Sequence, residues 1–314
     1  MAHAIVHSEI GSPDVLHLAE VADPVAEADQ VVVKIAAAGV NPIDAKQRSG
    51  VRPLPPIDQP RRVGFDGAGV VTSVGDDVSG FTVGDRVAFG DTRGSYATAL
   101  AVNAEHLALL PEGVTFAQGS ALAIPAGTAY QALRSLRVAE GDVVLIHAGS
   151  GAVGQAAVQF ARTWGATVIA TGSPASHERL RELGALPVAY GPGLTDRVRA
   201  LTTDDITVAF DAAGTDEAIE TSLDLVADRT RIATIVRGAD AAHFNIRAFS
   251  GGAPEPLSAQ ELEWRTEALP YTLDLIARGR FSIEFGPELP LAEAAEAHRL
   301  IEAHATRGKI VLVP

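Results

Sequence analysis

The segment Gly149-Ser150-Gly151-Ala152-Val153-Gly154 follows a continuous apolar run, Val143-Val144-Leu145-Ile146-His147. It precedes a stretch that places Val153, Ala156, Ala157, Phe160, Ala161 and Trp164 on one face at helical spacing. Strand, glycine turn and helix in that order are the setting in which such a motif binds a dinucleotide. Gly149 permits the tight turn, Gly151 lets a pyrophosphate approach the backbone, and Gly154 lets the helix pack closely on the strand. The helix N-terminus then offers free N–H groups and a partial positive charge to the phosphates, with Ser150, Ala152 and Val153 at its mouth. The plain alternative is a tight strand–helix turn without a ligand.

The end of the next strand selects the dinucleotide. A site for NAD usually closes that strand with Asp or Glu, which takes the ribose 2′-hydroxyl. Here the strand Thr167-Val168-Ile169-Ala170 runs into Thr171-Gly172-Ser173-Pro174-Ala175, with no carboxylate. Gly172 leaves room, Ser173 and Ser176 offer hydroxyls, and His177 and Arg179 follow. That set accepts a 2′-phosphate and predicts NADPH as the cofactor. Ser173 and at least one of His177 and Arg179 are expected on the phosphate. Arg179 has a second reading, an exposed helix residue facing Glu178 or Glu182.

The elements around these residues alternate. From about Gly119 onward, apolar strands and amphipathic helices follow each other: 143–147, the helix after the glycine turn, 167–170, a helix near 176–183, 187–190, 206–210, a helix at 217–226, and 231–236. Repeated β-α-β units imply a doubly wound parallel sheet covered on both faces. The first third reads differently. Short β-branched runs at 31–35, 67–74 and 85–89 are punctuated by Gly, Asp and Pro, as in a tightly turned barrel. Val51 to Arg62 is proline-rich and expected to be an irregular surface loop, and 251–256 is the candidate mobile loop. A helix near 291–305 leads to Lys309-Ile310-Val311-Leu312-Val313, a last strand expected to rejoin the N-terminal domain.

The 314 residues are enough for two domains, and 47% of them are apolar. Lys and Arg number 25 against 39 Asp and Glu, a net charge of −14, which disfavours nucleic acid and anionic membranes as partners. There is no cysteine, so disulfides and thiolate metal sites are excluded. The N-terminus shows no signal-peptide pattern and no run approaches the ~20 apolar residues of a membrane span, so a soluble cytoplasmic protein is expected.

Several further segments carry a family likeness: Ala38-Gly39-Val40-Asn41-Pro42-Ile43-Asp44 with Arg48-Ser49-Gly50, and Gly64-Phe65-Asp66-Gly67-Ala68-Gly69-Val70-Val71. To these are added Phe81-Thr82-Val83-Gly84-Asp85-Arg86-Val87, Gly127-Thr128-Ala129-Tyr130-Gln131-Ala132-Leu133, the turn 147–154 and the ending Arg307-Gly308-Lys309-Ile310-Val311-Leu312. Over nearly its whole length the chain resembles the medium-chain dehydrogenase/reductase superfamily, in its zinc-free quinone oxidoreductase (zeta-crystallin-like) branch. The resemblance implies a Rossmann domain at 119–285 and a GroES-like β-barrel substrate domain built from 1–118 and 286–314. It implies an active site in the cleft and a homodimer formed through the edge strands of the Rossmann sheets.

The same resemblance implies roles for particular residues. Asn41, Pro42 and Ile43 would line the cleft beside the nicotinamide, Thr128 would contact the cofactor, Tyr190 would lie near the adenosine, and Ile235 and Val236 would flank the nicotinamide. Ile235 and Val236 read equally as buried sheet, and Tyr190 as a half-buried residue at a strand end. Many quinone reductases carry a Tyr where this chain has Lys46. Lys46 is read either as a group for a carbonyl oxygen or anion, or as a solvated lysine. Tyr96 is either a cleft residue or a barrel aromatic. His298 shares a helical stripe with Leu291, Ala294, Ile301 and Ala305 and is expected to be packed.

Zinc-dependent relatives hold the catalytic metal with a Cys near the Asn41 region and a His-Glu pair near Gly64, and a structural zinc with four Cys. Here those places read Gly39-Val40-Asn41 and Phe65-Asp66, so no metal site is predicted. Without a Lewis acid to polarise a carbonyl, the expected acceptor is already electrophilic: a quinone or an α,β-unsaturated carbonyl. The expectation is therefore an NADPH-dependent reductase with no assigned catalytic acid. An enoyl or alkenal double-bond reductase and a non-catalytic NADPH-binding protein are the alternatives.

Overall fold

The computed structural model describes every residue except 53, 250–252 and 254. Residues 251, 252 and 254 of the expected mobile loop at 251–256 thus lie outside the described residues. Two compact units are present, Met1–Ile124 with Leu269–Pro314, and Pro125–Ala268. The sequence boundaries at 118/119 and 285/286 lie six residues or more from these divisions.

The first unit begins with β1 (Ala2–His7), β2 (His17–Val21), β3 (Gln30–Gly39), β4 (Arg61–Arg62), β5 (Asp66–Val74), β6 (Arg86–Phe89), β7 (Ala99–Asn103) and β8 (Leu107–Leu109). β3 is the hub: it pairs antiparallel with both β5 and β7. Its β-branched run Val31-Val32-Val33 is buried, which is where such side chains pack best on a pleated surface. β1 pairs with β2 and, at Val6 and His7, with the short β4. Among the described residues, β4 is the one piece of regular structure in the loop read from 51–62, and its register fixes Arg62 opposite Val6 and Arg61 opposite His7.

The second unit holds β9 (Val143–His147), β10 (Thr167–Gly172), β11 (Leu186–Ala189), β12 (Val208–Asp211), β13 (Ile232–Thr234) and β14 (Arg247–Ala248). Their order is β11-β10-β9-β12-β13-β14, and all neighbours are parallel. Crossover helices demand this arrangement, and strands covered on both faces read as continuous apolar runs. All of β9 is buried. In the doubly wound fold the first and fourth strands sit side by side, and their C-terminal ends mark where ligands bind. Here these are β9 and β12.

The chain then returns to the first unit with β15 (Phe285–Pro290) and β16 (Lys309–Val313). β16 pairs antiparallel with β3, Val311 opposite Gly39 and Leu312 opposite Ala38. The final strand therefore rejoins the N-terminal strands, as its sequence suggested. Separate apolar clusters fill the two units, one around Val31, Val33, Phe89, Tyr96 and Leu312, the other around Leu145, Ile169, Ala209 and Ile232.

Two expectations are corrected. The strand read over 231–236 ends at Thr234, because the backbone N–H of Val236 and of Arg237 turns back onto the Thr234 hydroxyl. The sequence reading has no counterpart of the 19-residue helix Ala259–Ala277, which carries Pro270 in its interior and no clean apolar stripe. Among the described residues, no helix is long and apolar enough to cross a membrane.

Candidate active site

The glycine turn sits at the C-terminal end of β9 and leads into the helix Ala152–Thr163. Ala148 adopts φ 55°, a left-handed conformation that costs a non-glycine residue ~1–2 kcal/mol. Three hydrogen bonds hold it there: Ala148 N–H to the Thr171 hydroxyl at 2.9 Å, Gly149 N–H to Thr171 O at 2.8 Å, and Gly151 N–H to Ala148 O at 3.1 Å. The three glycines then separate by cause. A Cβ on Gly149 would lie 2.7 Å from the Ala170 Cβ, and one on Gly154 would lie 2.2 Å from Ala148 O. Packing within the protein explains both. A Cβ on Gly151 would meet only Ala148 O at 3.5 Å, an ordinary contact, in a backbone at φ −74°, ψ 164° that any residue adopts. Packing within the protein therefore does not require glycine at 151.

The mouth of the helix is open. Gly151 and Ala152 are exposed, Ser150 and Val153 are half-buried, and no side chain caps the first turn. Its orphan N–H groups and the positive end of the helix dipole suit a pyrophosphate. These residues fit a dinucleotide.

The end of β10 comes next to this mouth. A Cβ on Gly172 would stand 3.7 Å from the Ser150 Cβ and 2.5 Å from the Ser176 hydroxyl. Ser173 is half-buried and its side chain does not cap the short 3-10 turn it precedes. Ser176 is buried and gives its hydroxyl to Ser173 O at 2.8 Å, so it is spent on holding the turn. His177 places Nε2 3.3 Å from Gly172 O. Arg179 donates from Nε to the Gln155 side chain at 3.1 Å and pairs with Glu182 at 3.3 Å. Arg179 thus faces Glu182 but is only 20% exposed rather than an exposed surface residue, and its tie to Gln155 links the helix after β10 to the glycine-turn helix.

Other cofactor candidates fall around the same strand ends. Tyr190, just past β11, is 63% exposed rather than half-buried. Ile235 and Val236 lie beyond the end of β13, half-buried and exposed respectively, so the buried-sheet reading does not describe them. Thr128 is buried on the helix Ala123–Ser135. Sequence reasoning missed Asp211 at the end of β12. Its carboxylate accepts from the N–H groups of Ala213 and Gly214, both at 2.9 Å, and from the Thr234 hydroxyl at 2.7 Å. It thereby fixes the loop that follows β12. His147, ending β9, is fully buried 3.1 Å from the Ser222 hydroxyl, and burial lowers its pKa to about 4, so it is neutral.

The candidate substrate residues belong to the first unit, on and beside the helix Pro42–Arg48. Pro42 and Lys46 are exposed and Ile43 is half-buried. Asn41 is buried. It donates Nδ2 to Asp66 at 3.0 Å and accepts at Oδ1 from the Lys309 ammonium at 2.6 Å. Its backbone N–H caps onto the Asp44 carboxylate at 2.8 Å. Tyr96 is fully buried and donates its hydroxyl to that same Asp44 oxygen at 2.8 Å, so it is a barrel aromatic standing behind Asp44. His298 packs edge-on against Tyr96, with burial lowering its pKa to about 3. It is the packed, neutral histidine the helical stripe implied.

The polar cluster around Asn41 was not visible as a unit in the sequence. Lys309 is 4% exposed in an otherwise apolar strand, 4.0 Å from Asp66. Burial lowers the Lys309 pKa against the opposing charges of Asp66 and Asp44. Burial likewise raises Asp44 to about 7 and Asp66 to about 6, despite the hydrogen bonds each accepts. The signal available was a lysine in the run Lys309-Ile310-Val311-Leu312-Val313: a charge in a buried strand needs a partner.

Comparison with known proteins agrees with this geometry. Residues 27–112 match the family model of the alcohol dehydrogenase GroES-like domain, and residues 183–312 match that of the zinc-binding dehydrogenases. A quinone oxidoreductase from Pseudomonas aeruginosa is 33% identical, over 100% of both chains. One from Sus scrofa is 33% identical over 97% of this chain and 95% of its own. The crystal structure of Escherichia coli quinone oxidoreductase complexed with NADPH superposes with a TM-score of 0.84 at 27% identity, covering 99% of this chain and 100% of that one.

Proposed function

The chain belongs to the quinone oxidoreductase branch of the medium-chain dehydrogenase/reductase superfamily, and on that premise we propose that it reduces a quinone or another conjugated carbonyl with NADPH. The observation that carries this reading is the open face at Gly151, above an uncapped helix N-terminus and beside a strand end that lacks a carboxylate. NADPH, when bound, supplies a hydride from its nicotinamide. The remaining work is that of the chain's own residues.

The backbone of residues 149–153 receives the pyrophosphate. Ser173 takes the 2′-phosphate with His177 or Arg179, and the lack of an acid at this strand end keeps that site free of repulsion. Asp211 and Thr234 hold the loops that carry Ile235 and Val236. Asn41, clamped between Asp66 and Lys309, fixes the start of the helix that presents Pro42, Ile43 and Lys46. The acceptor gains a hydride and a proton, and water supplies the proton. The protein's contribution is positioning and exclusion of solvent, with the redox chemistry left to the cofactor.

We read the reaction as independent of zinc. The chain has no cysteine, and Asp66 is already engaged by Asn41 at 3.0 Å, by the Ile124 N–H at 3.1 Å and by Lys309. An acceptor activated by its own conjugation suits such a site.

The test is consumption of NADPH by the purified protein with a panel of neutral quinones and enones. Turnover with at least one quinone, unaffected by chelator and slower with NADH, is expected. Tight NADPH binding with no acceptor reduced would leave a cofactor-binding protein without turnover.

A further inference from the structure

A small, open pocket in the first unit, about 10 Å³ in cavity volume, is lined by four arginines, Arg48, Arg61, Arg62 and Arg93, with His7 and Asp44. Such a cluster runs against a net charge of −14. Asp44 is the one carboxylate among the lining residues. The arginines are held in place. Arg61 and Arg62 form β4, in register with His7 and Val6. Arg93 stacks over the Phe65 ring at 5.5 Å. Arg48 is 1% exposed and bonds through its terminal nitrogens to Gly11 O and Glu302.

The donors are not used up. Among the described residues, the buried Nε of Arg48 and the buried terminal Nη1 of Arg61 have no hydrogen-bond partner. Among the described residues, Arg61's other terminal nitrogen reaches the carbonyls of Pro55 and Pro56, at 2.6 and 3.3 Å. None of Arg61, Arg62 and Arg93 forms an ion pair with a described residue. The like charges also act on one another. Burial and then the charges of Arg61, Arg48 and Arg93 push the His7 imidazole down, and burial and then Arg61 do the same to Arg93. Burial raises the Asp44 carboxyl to about 7.

We propose that this pocket binds an anionic substituent of the acceptor, an oxyanion such as a carboxylate, sulfonate or phosphate. Planar guanidinium groups with spare N–H donors are the side chains suited to such oxyanions. The wall formed by Asp44 and Arg48 belongs to the helix Pro42–Arg48, which also carries Ile43 and Lys46. The inference rests on the reductase reading for the identity of the ligand, since it names the class of acceptor: a conjugated carbonyl bearing a negative charge.

Binding and turnover are measured separately. With saturating NADP⁺ present, so that the cofactor's own phosphate sites are filled, inorganic phosphate and benzoate are titrated calorimetrically into the wild type and into Arg62→Gln, Arg93→Gln and Arg278→Gln. Arg278 pairs with Asp274 on a helix surface and serves as the control. The dissociation constant of the bound anion should rise about tenfold to a hundredfold in the Arg62 and Arg93 variants, the worth of a charge-assisted hydrogen bond, and stay put in the control. Preference for phosphate over benzoate, or the reverse, supports the pocket and identifies which oxyanion it takes. In parallel, the ratio of kcat/KM for a sulfonated naphthoquinone to that for the unsubstituted one should fall by a similar factor in the two variants. Anion binding that is absent, or equal in all four proteins, overturns the proposal even if neutral quinones are reduced. Arginine-dependent anion binding with no acceptor reduced supports the pocket and sinks the reductase reading instead.

Discussion

Replacing Gly151 by Ala separates a turn built for packing from a turn built for a ligand. The backbone at 151 lies at φ −74°, ψ 164°, and the new methyl would meet only Ala148 O at 3.5 Å. Alanine restricts the unfolded chain, which stabilises by ~0.4–1 kcal/mol. It is also a poorer N-cap than glycine, by a comparable amount. The two effects offset each other, and Tm should move by less than about 2–4 °C. The methyl nevertheless occupies the face where a phosphate oxygen must come within ~2.9 Å of the N–H groups. Loss of one charge-assisted hydrogen bond is worth ~1.5–3 kcal/mol, so Kd for NADPH should rise about tenfold to a hundredfold. Gly154→Ala is the contrasting change. Its methyl would stand 2.2 Å from Ala148 O and 2.7 Å from the Gly149 Cα, both backbone atoms that cannot swing aside. Overpacking of this kind costs ~1–3 kcal/mol or more, so Tm and NADPH affinity should fall together. Fluorescence titration of NADPH and thermal unfolding on the same samples read both quantities. A Gly151→Ala protein that binds NADPH as tightly as the wild type would refute the assignment of this face to the cofactor.

Ser173→Asp places a carboxylate at the acid-free end of β10. NADPH affinity should fall at least tenfold and NADH affinity rise, as titration with each cofactor will show; unchanged NADPH binding would remove Ser173 from the 2′-phosphate site. Lys309→Met leaves Asn41 Oδ1, Val40 O and the Asp66 carboxylate without the ammonium they share, and breaking such a buried pair costs ~3–5 kcal/mol, measurable by urea unfolding. Asp44→Asn tests burial of the carboxyl through pH. Because the folded-state pKa, about 7, lies above the ordinary aspartate value of 3.8, Asp44 favours the fold below pH 4 and loses that contribution as pH rises through 7. The variant should therefore gain stability relative to the wild type, by on the order of 3 kcal/mol, between pH 4.5 and 7.5; a pH-independent difference would contradict the assignment.

Much of this molecule is legible in its sequence because its signals are local. The apolar run of β9, the glycines after it and the stripe on the following helix each state their own structure. The missing acid after β10 is also a local fact. What the sequence conceals is what distant segments do together. Lys309 reads as an ordinary strand residue until β16 pairs with β3 and brings it against Asn41 and Asp66. Arg61 and Arg62 lie in a proline-rich loop and are placed by pairing with β1. The end of β13 was read two residues too far because Ile235 and Val236 are strand-formers by type, whereas hydrogen bonds to the Thr234 side chain end the strand. The long helix Ala259–Ala277 was hidden by a proline that tertiary packing tolerates.

The central claim is direct hydride transfer to a conjugated acceptor. The measurement that tests it most directly is a single turnover of the protein loaded with NADPH that carries deuterium at the transferable C4 position, mixed with a cyclic enone and followed by mass spectrometry. The account predicts one deuterium at the β-carbon of the saturated product for each NADPH consumed. Product without deuterium, or an acceptor left unreduced beside tightly bound NADPH, would contradict it.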